Sequence, residues 1–368
     1  MTIPFVDLHA QYLTIKPEID AAIAAVIQEG AFIRGRFVDQ FEQDYASALG
    51  TPHCISTANG TDSLYICLKA LGVGPGDEVI TTAHSWIATS ETITQAGGRV
   101  RFVDTDYDTF TLDPALLEAR ITARTKGIIV VHLYGQAADL DPILALAKKH
   151  GLWVVEDCAQ AHLARYDGRS VGTFGRAATF SFYPGKNLGA YGDAGCIVTA
   201  DAALARQMAM FARHGGTQKG QHEIEGINSR LDGLQAAILA VKLEHLRRWT
   251  RERQRAAAAY DRLLAGVGDV VTPKVAPRRE HVYHLYVIRT EKRDALRQWL
   301  QERGVATALH YPVALPFLRA YARFQHAPAD FPVAYANQSR ILSLPIYPEM
   351  TEAMIGYVAE QIRAFFER

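Results

Sequence analysis

The sequence is poor in several of the signals that usually announce a function. Lys+Arg and Asp+Glu both number 39, so the formal net charge is zero. That removes the basic excess on which binding to nucleic-acid phosphates depends. Only four cysteines occur, Cys54, Cys67, Cys158 and Cys196. No two of them form a C-x-x-C pair, so neither a zinc site nor a dithiol redox motif is indicated, and no metal is expected. Their apolar surroundings predict small core residues. The first residues, MTIPFVDLHAQYLTIKPEI, lack the basic-then-apolar order of a secretory leader, and no apolar run has membrane-spanning length. The expected setting is the cytoplasm, with no membrane partner. Two nucleotide-binding fingerprints are also missing. A Walker A loop would need glycine and Ser/Thr where Phe180 and Asn187 stand, and the glycines of LGVGPGD (Gly72, Gly74, Gly76) precede a strand rather than a helix. Neither repeats nor low-complexity segments occur.

What is present is an ordinary globular balance, 49% hydrophobic and 21% charged over 368 residues, a length suited to two domains. Ile19, Ile23, Val26 and Ile27 share one helical face that ends at Gly30. From residue 53, short apolar strands alternate with helices: HCIST (53–57), DEVITT (77–82), RVRFVD (99–104), GIIVVHLYG (127–135), LWVVED (152–157), AATFSFY (177–183) and GCIVTA (195–200). Several are apolar on both faces, which predicts a largely parallel sheet covered on each side. In SLYICLKAL, Leu64, Cys67, Leu68 and Leu71 form a stripe stopped by Gly72. A long helical pattern from about residue 231 reads as a link to a smaller α+β unit, which holds the strand HVYHLYVI, the amphipathic RDALRQWLQERG and a final helix. The expected division is 1–245, a large α/β domain with an N-terminal helical segment, and 246–368, a small C-terminal α+β domain.

Three segments carry chemistry. Asp157 follows the apolar strand LWVV, at a strand end where ligand contacts cluster in open α/β sheets. It could pair with a protonated ring nitrogen or a metal, or merely cap a helix. Gln160 and His162 lie within a turn of it, although a lone histidine is more often a satisfied core residue. In STANGTDSLYICLKAL a strand end passes through Gly60 and Thr61 into a helix, whose free N–H groups suit a phosphate. The competing reading makes Thr61 or Asp62 a simple cap. Lys186, in SFYPGKNLGA, has Phe180, Phe182 and Tyr183 before it and Gly185 and Gly189 around it. A desolvated amine has a lowered pKa and attacks carbonyls. A Schiff-base lysine, a carboxylate for a ring nitrogen and a phosphate site together describe pyridoxal 5'-phosphate (PLP).

With those residues in view, the chain resembles the DegT/DnrJ/EryC1/StrS aminotransferases, PLP enzymes of fold type I. The motifs that carry the resemblance are NGTDSL (59–64), HSWIATSE (84–91), VEDCAQAH (155–162), SFYPGKNLGA (181–190), GINSRLDGLQAAIL (226–239) and HYP (310–312). It implies a large domain with a mostly parallel seven-stranded sheet and a smaller C-terminal α+β domain. It also implies that Lys186 holds the cofactor as an imine and shuttles the proton. Asp157 then partners the pyridine nitrogen, and Gln160 lies beside the ring hydroxyl. Trp86 stands where an aromatic, often Phe or Tyr in the family, stacks on the ring. Gly60, Thr61 and Ser181 match phosphate contacts. Asn228 would reach the phosphate of a neighbouring subunit, which implies a homodimer with shared active sites, and Arg230 follows in that loop. Tyr183 and His310 fall where sugar-nucleotide contacts are expected.

Some relatives carry histidine in place of the lysine and act as dehydratases, so Lys186 favours transamination. Ser229 and Leu231 stand where 4-aminotransferases more often carry an aromatic and a methionine. The loop therefore looks closer to the 3-aminotransferases of dTDP-3-keto-6-deoxyhexoses in deoxysugar biosynthesis, with L-glutamate as amino donor. The alternatives are a 4-aminotransferase for a UDP- or GDP-linked keto sugar and a non-catalytic PLP-binding regulator.

Overall fold

The structure, a computed structural model, describes residues 1–216, 218 and 220–368. Helices α1 (Leu8–Thr14), α2 (Lys16–Glu29) and α3 (Arg36–Leu49) precede the first strand. The large sheet is built from β1 (His53–Thr57), β2 (Glu78–Thr82), β3 (Arg99–Val103), β4 (Thr125–Val131), β5 (Trp153–Asp157), β6 (Ala177–Ser181) and β7 (Gly195–Thr199). Between these strands and after them lie α4 (Gly60–Ala70), α5 (Ala88–Gln95), α6 (Leu140–Lys149) and α7 (Ala202–Phe211).

The strand order is β1-β7-β6-β5-β4-β2-β3. Only β7 runs antiparallel to its neighbours. The other six share one direction, so their carboxyl ends lie along one edge. Every residue of β2 and β7 is buried, as a sheet covered on both faces requires. Within β4 the pleat divides the core. Ile128 and Val130 pack with Phe41 of α3, whereas Ile129 packs with Leu64 and Leu68 of α4.

Helix α8 (Gly233–Leu264) runs unbroken and contributes to two hydrophobic cores. Its Ala236, Leu239 and Leu246 join the large core, and Ala256, Tyr260 and Leu264 join a second. That second core holds the antiparallel pair β8 (Tyr286–Arg289) and β9 (Ile341–Leu344) against α9 (Arg293–Glu302) and α11 (Glu352–Phe366). Ile3 also packs there, and its N–H bonds the Gly304 carbonyl.

Two expectations need correction, and two elements add to the reading. The strand expected over 127–135 stops at Val131, because the chain turns and Tyr134 adopts φ 61°. Ile27 is exposed on the chain, so the buried face of α2 is carried by Ile19 and Val26. Helix α10 (Pro332–Arg340) and strand β9 were not foreseen; Pro332 sits at the first turn of α10, where its missing N–H costs nothing.

Candidate active site

A cavity of about 690 Å³ opens at the carboxyl edge of the sheet and extends to Arg253 of α8, Leu309 and Ile346. Its wall includes Gly60, Thr61, Trp86, Asp157, Gln160, Ser181, Tyr183, Lys186 and His310. Strand direction explains the convergence: β1, β5 and β6 all end at this edge, and each hands its next residues to the cavity. Asn228 is exposed and Arg230 half-buried, and neither belongs to this wall.

Lys186 lies in the return loop between β6 and the antiparallel β7. Its N–H bonds the Tyr183 carbonyl at 2.8 Å, which closes a tight turn. Gly189 is obligatory there, since a Cβ would fall 2.2 Å from the Pro184 oxygen. Asn187 anchors the loop through Nδ2 to the Val282 carbonyl, with its Oδ1 3.2 Å from His284 Nδ1. The lysine is half-buried. Loss of hydration lowers its pKa from 10.5 to about 8, against the pull of the Asp157 charge. Only the unprotonated amine attacks an aldehyde. Capture of PLP by the apoprotein should therefore accelerate with pH and level off just above about 8. A capture rate still climbing steeply at pH 10 would show an ordinary, hydrated lysine.

Asp157 is 5% exposed. Thr89 Oγ1 donates to its Oδ2 at 2.8 Å, and the Ala159 N–H donates to Oδ1 at 3.2 Å. Burial raises its pKa, while Thr89, Ala159 and the Lys186 charge oppose the rise. Its neighbour Glu156 points to the other face of the strand. There it accepts N–H bonds from Gly172, Phe174 and Gly175 and meets His132 Nε2 at 3.0 Å. Thr89, whose hydroxyl fixes the Asp157 carboxylate, is a neighbour that sequence reasoning missed. Thr89→Val should keep the fold and slow turnover by about tenfold, as expected for loss of one hydrogen bond to a charged group. An unchanged rate constant in single-turnover measurements would remove it from that role.

At the other end of the cavity, the cap of α4 is neither Thr61 nor Asp62. Asn59 takes that place, its side chain accepting from the Asp62 N–H at 2.8 Å. The Gly60 and Thr61 N–H groups have no acceptor among the described residues. Asp62 instead accepts from Ser229 Oγ, which itself accepts from the Ala58 N–H. Helix α4 approaches β6 so closely that a Cβ on Gly60 would lie 2.7 Å from Ser181 Cβ. Free amides, a positive helix end and the Ser181 hydroxyl form a cradle for a phosphate. Together with an amine lacking a hydrogen-bond partner among the described residues, and a buried carboxylate, these residues fit PLP.

Gln160 is pinned by the Tyr134 N–H at 2.6 Å and by Tyr311 Oη at 3.0 Å. Trp86 is 58% exposed at the mouth, with its ring 5.5 Å from that of Tyr311. His310 Nδ1 meets Ser343 Oγ, and burial with the nearby Lys186 charge lowers its pKa to about 4. His162 does not reach the cavity wall. It is buried between Tyr45 Oη (2.7 Å) and the Ser181 carbonyl (2.9 Å), the satisfied core histidine that was the more ordinary expectation. Phe5, which stacks on His310, also lines the cavity; no pattern in the N-terminal sequence marks it.

Residues 13–363 match the DegT/DnrJ/EryC1/StrS aminotransferase family. A pleiotropic regulatory protein of Geobacillus stearothermophilus is 48% identical over 368 residues, covering 100% of this chain and 99% of that protein. A dTDP-3-amino-3,4,6-trideoxy-alpha-D-glucose transaminase of Streptomyces venezuelae is 43% identical, covering 100% and 97%. Among solved structures, S. venezuelae DesV in complex with a ketimine intermediate superposes with a TM-score of 0.97 at 43% identity, covering 100% and 99%. NtdA of Bacillus subtilis with bound cofactor PMP gives 0.92 at 31% identity, covering 100% and 86%. With its lysine, carboxylate and phosphate cradle gathered on one cavity, the chain belongs to the DegT/DnrJ/EryC1/StrS family of PLP-dependent sugar aminotransferases.

Proposed function

We propose that the chain transfers the amino group of L-glutamate to a dTDP-linked 3-keto-6-deoxyhexose, giving the dTDP-3-amino-3,6-dideoxyhexose. The observation that carries transamination is the half-buried amine of Lys186, without a hydrogen-bond partner among the described residues, in one cavity with Asp157 and the start of α4. The printed name of the S. venezuelae relative, a dTDP-3-amino sugar transaminase, supports the sugar class.

PLP, when bound, supplies the electron sink for the bond broken at the donor's α-carbon. Lys186 holds it and then moves the proton at that carbon. Asp157 faces the ring nitrogen and Gln160 the ring hydroxyl, Trp86 covers the ring, and Gly60, Thr61 and Ser181 take the phosphate. Tyr183 and His310 bind the sugar nucleotide from this wall. At neutral pH His310 is uncharged, so it offers the sugar hydrogen bonds, and Arg230, off this wall, supplies positive charge to the sugar nucleotide in the site of a second copy. Asn228, exposed and off this cavity, serves the phosphate site of a second copy in a homodimer. A screen of keto-sugar nucleotides with L-glutamate, with the amino product read by NMR, tests the proposal. Amination at C4, or turnover only with UDP- or GDP-linked sugars, would overturn the substrate assignment.

The name of the Geobacillus relative favours a second reading, a regulator that binds the cofactor without turnover. Retention of Lys186, Asp157 and Gln160 on one wall supports catalysis instead. L-Glutamate added to the PLP-loaded protein separates the two, since only a transaminase loses the visible absorbance.

A further inference from the structure

Arg253, on α8, lines the small-domain end of the cavity together with Leu309 and Ile346. Its side chain is 4% exposed. Nη1 donates to the carbonyls of Ile346 (2.8 Å), Tyr283 (3.2 Å) and His284 (3.4 Å). Nε has no partner, and among the described residues neither Nε nor Nη2 meets a carboxylate. The nearest acid acting on it, Glu349, is outside ion-pair distance and is itself pushed toward its neutral form by burial. An arginine does not shed its proton under ordinary conditions. A buried cation without a counter-charge is expensive, and three carbonyls would be served equally well by a neutral donor. Nε is enclosed, whereas Nη2 is not among the enclosed unpaired atoms and has no hydrogen-bond partner among the described residues, which leaves it as the charged donor for an anionic group in the cavity.

We propose that Arg253 binds a carboxylate of the amino donor, which rests on the reading of the chain as a glutamate-dependent transaminase. Location favours the donor over the diphosphate of the sugar nucleotide. Arg253 is joined to Lys186 by a short relay. Nη1 bonds the His284 carbonyl, His284 Nδ1 faces Asn187, and Asn187 precedes no other residue than Leu188 and follows Lys186 directly. His284 feels both the Lys186 and the Arg253 charge. Ile346, whose carbonyl Arg253 holds, and Phe5, Val6 and Leu309 give the cavity an apolar lining, which suits a small acid held dry rather than a hydrated diphosphate. Trp86 and Tyr183, also on the cavity wall, are exposed, unlike Arg253.

The test uses the PLP-loaded protein with Arg253→Gln and Arg253→Lys. The donor half-reaction is followed by loss of visible absorbance at varied L-glutamate. The sugar half-reaction is followed from the amine form with a dTDP-linked 3-keto-6-deoxyhexose. Binding of glutarate, a dicarboxylate without an amino group, is measured by calorimetry. Arg253→Gln should weaken glutarate binding and raise the half-saturating glutamate by about 10- to 100-fold. The sugar half-reaction should change by less than about threefold, and Arg253→Lys should fall between. Unchanged glutamate and glutarate behaviour would overturn the assignment, as would weakening confined to, or equal in, the sugar half-reaction. If Arg253→Gln fails to fold, Arg253→Lys decides by the same readouts. Wild-type protein that binds glutarate through Arg253 but never reacts with glutamate would sink the transaminase reading and leave the carboxylate site standing.

Discussion

Lys186→Ala should lose transamination by at least about ten-thousand-fold, because it removes both the covalent anchor and the proton carrier. No second amine can substitute. Lys186 is the only lysine on the cavity wall among the described residues, and Lys242, the nearby buried one, spends its Nζ on the Gly189 carbonyl. Lys186→Arg should not restore activity, since a guanidinium stays protonated and cannot attack a carbonyl. A small primary amine added to the alanine variant should restore part of the rate. The same substitution should stabilise the apoprotein. A lysine whose folded-state pKa lies below its unfolded value is a liability, present in full below pH about 8 and lost as pH rises to 10.5. At about 1.4 kcal/mol per factor of ten in proton affinity, the upper bound is roughly 3 kcal/mol, reduced because water reaches a half-buried amine. Thermal unfolding of apoprotein at pH 7, wild type against variant, measures it. An alanine variant that turns over normally, or is less stable without cofactor, contradicts this account.

The same features made the centre of the site legible in the sequence and its periphery not. Lys186 and Asp157 are local signals: a lysine between glycines after an aromatic run, and an acid at the end of an apolar strand. Both could be read because strand direction turns position along the chain into position at the sheet edge. Thr89 shows where this stops. Its bond to Asp157 spans 68 residues, and nothing within its own helix distinguishes it from any threonine. The cap falls to Asn59 rather than to Thr61 or Asp62, because three polar side chains lie within four residues and only backbone angles choose among them. Arg253 is the extreme case. Its meaning lies in the carboxylates that are missing around it, and no window of sequence shows an absence in space. Helix α10 and β9 lie among prolines at 328, 332 and 345, and Pro332 starts a helix rather than breaking one.

Asp157→Asn should slow proton removal from the donor by about a hundred- to a thousand-fold, within the range for a misassigned proton at a catalytic group. The amide is nearly the size of the acid, and its surroundings can accept it. The Ala159 N–H still finds Oδ1, and the Thr89 hydroxyl can turn from donor to acceptor toward Nδ2. Folding and covalent binding through Lys186 should therefore survive, which separates this variant from Lys186→Ala. What the amide cannot do is carry the negative charge that keeps a ring nitrogen protonated. The loss has a second consequence, opposite in origin and measurable without turnover. The Asp157 charge raises the Lys186 pKa against the effect of burial. With that charge gone, burial acts unopposed and the amine becomes free at lower pH. The midpoint of PLP capture in Asp157→Asn should shift below the wild-type value of about 8. The rate of capture at pH 7 should rise even as the rate of transamination falls. Capture profiles that coincide for the two proteins would mean that the carboxylate and the amine do not share one electrostatic environment, and the pairing on which the site is built would be wrong.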